Sequence, residues 1–170
     1  VNLLFVHQNF PGQFRHLASH FVGAGHQVVA LAIHQRDAPG VQVHRYTLER
    51  FSSKQVHPWA REFETKVIRG DACAHAALRL KATGFNPDVM IVNPGWGESL
   101  YLKDVWPDVP MLAQIEYFYR KSEGDFNFDP EFTRTGLGDY ANLRNKSAYL
   151  LMTLDAMDLG VSPTHFQKST

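Results

Sequence analysis

The chain has 170 residues, 44% of them hydrophobic, with 17 Lys and Arg against 17 Asp and Glu. That length suits one domain, and the apolar content excludes a disordered chain. The balanced charge gives no net field to draw nucleic acid or an anionic surface. No apolar run reaches the roughly 18 residues of a membrane span, and VNLLFVHQ lacks the basic flank and cleavage site of a signal peptide. A single cysteine, Cys73, excludes an internal disulfide framework, fits a cytoplasmic chain, and sits in an Ala-rich stretch as a small core residue.

In chain order, LLFV (Leu3–Val6) and VVALAI (Val28–Ile33) are continuous apolar runs, as expected for strands buried on both faces. Between them Phe14, Leu17, Ala18, Phe21 and Val22 share one helix face, with Gly23 and Gly25 at its end. VQVHRY (Val41–Tyr46) reads as a third strand. Pro58 suits the first turn of a helix running to about Thr83, with Trp59, Phe63, Val67, Ala74 and Leu78 at helical spacing. VMIV (Val89–Val92) is a fourth strand, followed by the loop NPGWG and a short helix from Glu98. MLAQIEYFY (Met111–Tyr119) reads as a fifth strand, Gly138-Asp139 opens a helix through about Asp155, and LGVS (Leu159–Ser162) is a sixth strand. This alternation predicts an α/β fold, a Rossmann-like doubly wound parallel sheet with helices on both faces and the first strand beside the fourth.

Ligands in such folds sit outside the carboxyl ends of the strands. The segments of interest are therefore HQNFPGQ, NPGWGE, EYFYRKSEG and SPTHF; each also has the ordinary reading of a strand-to-helix turn. Gly12 lacks a Cβ, so the backbone can take φ > 0 and approach a ligand. The N–H groups of Gly12, Gln13 and Phe14 would then face a sugar or phosphate oxygen, and Pro11 would order the loop. A dinucleotide fingerprint and a Walker loop are both missing. His16 and His20 are four apart on a helix but lack the glutamate of H-E-x-x-H, so they read as surface residues and no metal site is assigned. Glu123 and Glu131 form a literal E-x7-E in an irregular segment interrupted by Pro130, where they share no helical face.

Three stretches, LLFVHQNFPGQFRHLA, NPDVMIVNPGWGESLYLKDVWPDVPMLAQIEYFYR and LGVSPTHFQKS, together resemble the N-terminal domain of glycosyltransferase family 4 proteins. The resemblance implies a GT-B architecture, two Rossmann-like domains facing across a cleft. It also implies metal-independent glycosyl transfer with retention and no resident cofactor, the nucleotide-sugar donor being a substrate. The chain then corresponds to the acceptor side as a single N-terminal domain over residues 1–170, with the C-terminal donor-binding domain, and the family's own E-x7-E, lying outside it.

On this resemblance the substrate-binding residues are Asn9, Pro11, Gly12 and Gln13 in the first loop, Asn93, Gly95, Trp96, Gly97 and Glu98 in the GWGE loop, and Glu116 and Tyr119 after the fifth strand. Asn93 stands where this branch is expected to carry histidine, and no catalytic residue is assigned. Glu116 has two readings, a carboxylate for sugar hydroxyls or a buried, paired one. The expected partners are a sugar or glycolipid acceptor, a nucleotide-sugar donor and the protein's own C-terminal domain. Self-association through the exposed cleft face and peripheral contact at the inner membrane complete the expectations; nucleic acid is not among them. The alternative is a non-catalytic Rossmann-like binding or scaffold domain.

Overall fold

The structure, a computed structural model, describes residues 1–34, 36–121 and 126–169. Six parallel strands form one sheet in the order β3-β2-β1-β4-β5-β6: β1 (Asn2–Val6), β2 (Gln27–Ala32), β3 (Gln42–Arg45), β4 (Val89–Val92), β5 (Met111–Gln114) and β6 (Leu159–Val161). The helices are α1 (Arg15–Gly23), α2 (Arg61–Ala82), α3 (Leu102–Val105), α4 (Leu137–Ala156) and α5 (His165–Ser169), with short 3-10 turns at Gly12–Phe14, Pro58–Ala60, Pro94–Trp96 and Pro130–Phe132. The first strand does lie beside the fourth, with Leu3 opposite Val89 and Val6 opposite Val92.

Strand alternation divides the core into two layers. Leu3 and Phe5 face α1, where Phe10, Phe14 and Ala18 join them. Leu4 and Val6 face α2 and α3, among Cys73, Ala77, Leu80 and Leu102. Side chains of a strand point to opposite faces in turn, so an apolar residue at every position is what a sheet covered on both sides requires. Burying each of these large side chains contributes roughly 1.5–3 kcal/mol.

Four expectations need correction. The core face of α2 is formed by Lys66, Ile68, Gly70, Cys73, Ala76, Ala77 and Leu80, whereas Trp59, Phe63, Val67 and Ala74 are half-buried and Leu78 is exposed. Small residues let this helix lie close to the sheet while its flank packs on α4. The helix expected from Glu98 begins only at Leu102, because Gly97 takes a left-handed φ of 97° and residues 98–101 form turns. The strand expected over 111–119 ends at Gln114; after one further bond, from the Ile115 N–H to the Val161 carbonyl, the chain leaves the sheet. Leu17, expected on the buried face of α1, is exposed.

Candidate functional site

Strand β4 ends at Val92, and Asn93 turns the chain by accepting the Gly95 N–H on its side-chain oxygen at 2.8 Å. The loop Pro94–Gly97 then rests directly on α2. A Cβ on Gly97 would lie 2.6 Å from the Lys66 carbonyl oxygen, and one on Gly70 would lie 2.8 Å from the Gly97 carbonyl oxygen. Two glycines facing each other across the contact therefore allow the loop and helix backbones to meet.

Helix α2 holds this loop with two cations one turn apart. Lys66 donates to the Gly95 carbonyl at 3.0 Å, and its ammonium lies 5.1 Å from the Trp96 ring centre and 5.0 Å from that of Tyr149 on α4. Burial pushes the Lys66 pKa below the usual lysine range, against an opposing pull from Glu62. Arg69 lies 5.6 Å over Trp96 and donates to the Gln8 side-chain oxygen at 2.9 Å, which ties the loop after β1 to the loop after β4. The Tyr149 hydroxyl donates to the Gly95 carbonyl at 3.1 Å, and burial raises its pKa.

Around this anchor lies a cleft of about 390 Å³, with Lys66, Asn93, Gly95, Trp96 and Tyr149 on one side and Glu116, Tyr117 and Tyr119 on the other. Glu62 and Lys146 line it too and form an ion pair at 3.7 Å, with the Lys146 ammonium over the Tyr119 ring at 5.2 Å. Glu116 is half-buried, and among the described residues its carboxylate has no hydrogen-bond or ion-pair partner. Neighbouring carboxylates, aromatic faces and a loop fixed from below suit the binding of a polyhydroxylated ligand.

Of the residues expected in the site, Asn93, Gly95, Trp96, Glu116 and Tyr119 meet in this cleft. Gly97 and Glu98 lie beneath it. Glu98 is 1% exposed and turned inward, accepting the Tyr46 hydroxyl at 3.4 Å. Burial raises its carboxyl pKa to about 7, against the pull of Arg69 and Lys66.

The first loop departs from expectation. Gly12 has the foreseen positive φ, 48°, but a Cβ there would lie 2.6 Å from the His7 ring, so its close approach is to the protein's own imidazole. A valine at position 12 would therefore both strain the backbone and clash with the His7 ring. The Phe14 N–H, expected to face a ligand, donates to the Pro11 carbonyl at 2.8 Å. Asn9 donates its backbone N–H to His7 Nδ1 at 3.1 Å, and Gln13 hydrogen-bonds the same ring, whose pKa burial lowers. Pro11 lines a separate hollow of about 250 Å³ beside α1.

His16 and His20 are exposed, as expected, and Cys73 is fully buried. Glu123 of the literal E-x7-E lies outside the described residues. Among the described residues, no helix is long and apolar enough to cross a membrane, and no three His, Cys, Asp or Glu side chains are grouped to hold a metal ion.

Sequence reasoning missed Glu62, Lys66, Arg69, Lys146 and Tyr149. Lysine at a position of α2 flanked by core residues is the one local signal that marked the site.

A parallel sheet with a cleft at its carboxyl edge, beside the point where strand order reverses, defines a Rossmann-like α/β domain. The chain belongs to the glycosyl transferase family 4 group, whose family model matches residues 24–170. That span includes the cleft but not the loop after β1. No curated protein matches the chain. Among solved structures it is similar to one described as the crystal structure of UDP-N-acetylglucosamine 2-epimerase, with 13% identity, a TM-score of 0.47, and coverage of 99% of this chain and 43% of that one. The chain thus spans less than half the length of that neighbour.

Proposed function

We propose that the domain is the acceptor-binding half of a retaining, nucleotide-sugar-dependent glycosyltransferase, with a donor-binding domain supplied by the rest of the polypeptide. One observation carries the reading: the aromatic and carboxylate-lined cleft at the carboxyl ends of β4 and β5, inside the segment that matches the family. In transfer, the bond from the donor's anomeric carbon to its phosphate oxygen breaks. A bond from that carbon to an acceptor hydroxyl oxygen forms on the face the phosphate leaves, and the hydroxyl proton passes to the departing phosphate oxygen. This chain's contribution is to hold that hydroxyl against the anomeric carbon on that face, which can supply several kcal/mol of the barrier reduction. Trp96 offers a platform for the sugar ring, Glu116 accepts hydroxyl protons in hydrogen bonds, and Lys66 and Arg69 keep the platform still.

The test is sugar transfer from a panel of nucleotide sugars by the full-length protein, with the anomeric configuration of the product read by NMR. Turnover should survive a metal chelator. Trp96→Ala should raise the acceptor KM about tenfold through lost stacking and apolar contact, with the donor KM little changed. Absence of transfer from every donor, with folding intact, favours the scaffold reading instead.

A further inference from the structure

We infer that the cleft selects an acceptor whose terminal sugar ring carries no anionic group, a choice made by the Glu116 carboxylate. The inference rests on the acceptor-side reading above and adds the chemical class of the ring. Among the described residues four charged side chains line the cleft, and three of them are already engaged. Glu62 and Lys146 pair with each other at 3.7 Å, and Lys146 also lies over Tyr119. Lys66 is 7% exposed, donates to the Gly95 carbonyl, and lies between the rings of Trp96 and Tyr149. Its charge is covered by groups that a ligand would have to displace.

Glu116 is the charge left over. It lines the cleft, is half-buried, and has no partner among the described residues. An ionised carboxylate only accepts hydrogen bonds, and its two oxygens can take two neighbouring hydroxyls at once. A uronate or sugar phosphate would place like charge beside it in a partly desolvated site, which disfavours binding.

The experiment is calorimetric titration of the full-length protein, without donor, using methyl glycosides of glucose, galactose and mannose. The 6-phosphates of the same glycosides, and methyl glucuronide, form the anionic arm. At least one neutral glycoside should bind about tenfold or more tightly than its anionic counterpart. Glu116→Gln should weaken the neutral ligand and narrow that preference by about tenfold, with an unchanged melting temperature. Glu116→Lys should reverse it. Tighter binding of the anionic member of any pair, no binding of any neutral glycoside at 100 mM (roughly the weakest affinity such a contact set would give), or an unchanged preference in Glu116→Gln overturns the inference. Binding of neutral sugars by a protein that transfers none would instead defeat the acceptor-side reading and leave the selectivity standing.

Discussion

Glu98 is the residue whose placement changes most between sequence and structure. In the string GWGE it resembles a ligand group; in the fold it lies under the loop, with Oε2 unpartnered and Oε1 near the Tyr46 hydroxyl. Its pKa is about 7 in the folded protein, against an ordinary 4.5. Between those values the unfolded chain has released the proton and the folded chain still holds it. Folding stability therefore falls as pH rises through this window, by an amount on the order of 1–3 kcal/mol. Glu98→Gln keeps a neutral, hydrogen-bonding side chain and should flatten that decline. The change in melting temperature between pH 5 and pH 8 should differ between parent and variant, the parent losing more stability, or gaining less, as pH rises, while the opposite trend from the lowered His7 pKa is common to both; equal slopes would show that Glu98 is ionised in the fold. The inward turn was not legible because it follows from Gly97, whose left-handed φ reverses the side-chain direction set by the loop.

At the scale of elements, α2 is the organising piece of the site. One turn of it supplies Lys66, Arg69 and Gly70, which hold, bridge and seat the loop after β4. Arg69→Met should keep the packing of the stem and lose both the Gln8 hydrogen bond and the cation over Trp96. The expected loss of stability is about 1–3 kcal/mol, since the buried Gln8 oxygen is left unpaired. Trp96 should become more accessible to acrylamide quenching, measured in a Trp59→Phe background where the remaining Trp106 is buried. Unchanged quenching would mean that the loop is held by the glycine contact alone. Strands β1, β2 and β4 were legible because burial on both faces writes itself as unbroken apolar runs. Helix α2 was misread because it is covered on two sides, by the sheet and by α4, so its half-buried flank also carries apolar residues, Phe63 and Val67 among them. The end of β5 was missed because Ile115, Tyr117 and Tyr119 continue the alternation past the sheet, Ile115 packing on the core and the two tyrosines lining the cleft.

For the whole molecule, the fold class and the place of the first strand beside the fourth could be read in advance; the loops after β1 and β4 were singled out as segments, but not the Arg69 that joins them. The cleft's other walls come from α2 and α4, which are distant in sequence and carry no motif, so only three-dimensional packing assembles them. Under the proposed function, residues 1–170 alone should transfer no sugar, because the groups that bind the donor and stabilise its leaving diphosphate belong to the second domain. Trp96 and Tyr117 at the cleft are 38% and 46% exposed, and the margin formed by α4, β6 and α5 exposes Leu151, Leu159, Val161 and Phe166. The isolated chain should therefore self-associate with concentration, as read by sedimentation velocity. A monodisperse monomer at high concentration, or measurable turnover of any nucleotide sugar, would contradict this account.

The central position of β1 also governs how the chain can fold as it is synthesised. β1 is made first, and β2 and β3 can join one of its edges early. Its other edge pairs with β4, whose first residue, Val89, lies opposite Leu3. Until that stretch has left the ribosome, half of the sheet presents an open strand edge and an uncovered apolar layer. Pairing so distant in sequence closes slowly and leaves the partly made chain prone to misassociation. The segment that ends this exposure runs straight into Asn93, Gly95 and Trp96, so the first residues of the cleft arrive as the centre of the sheet closes.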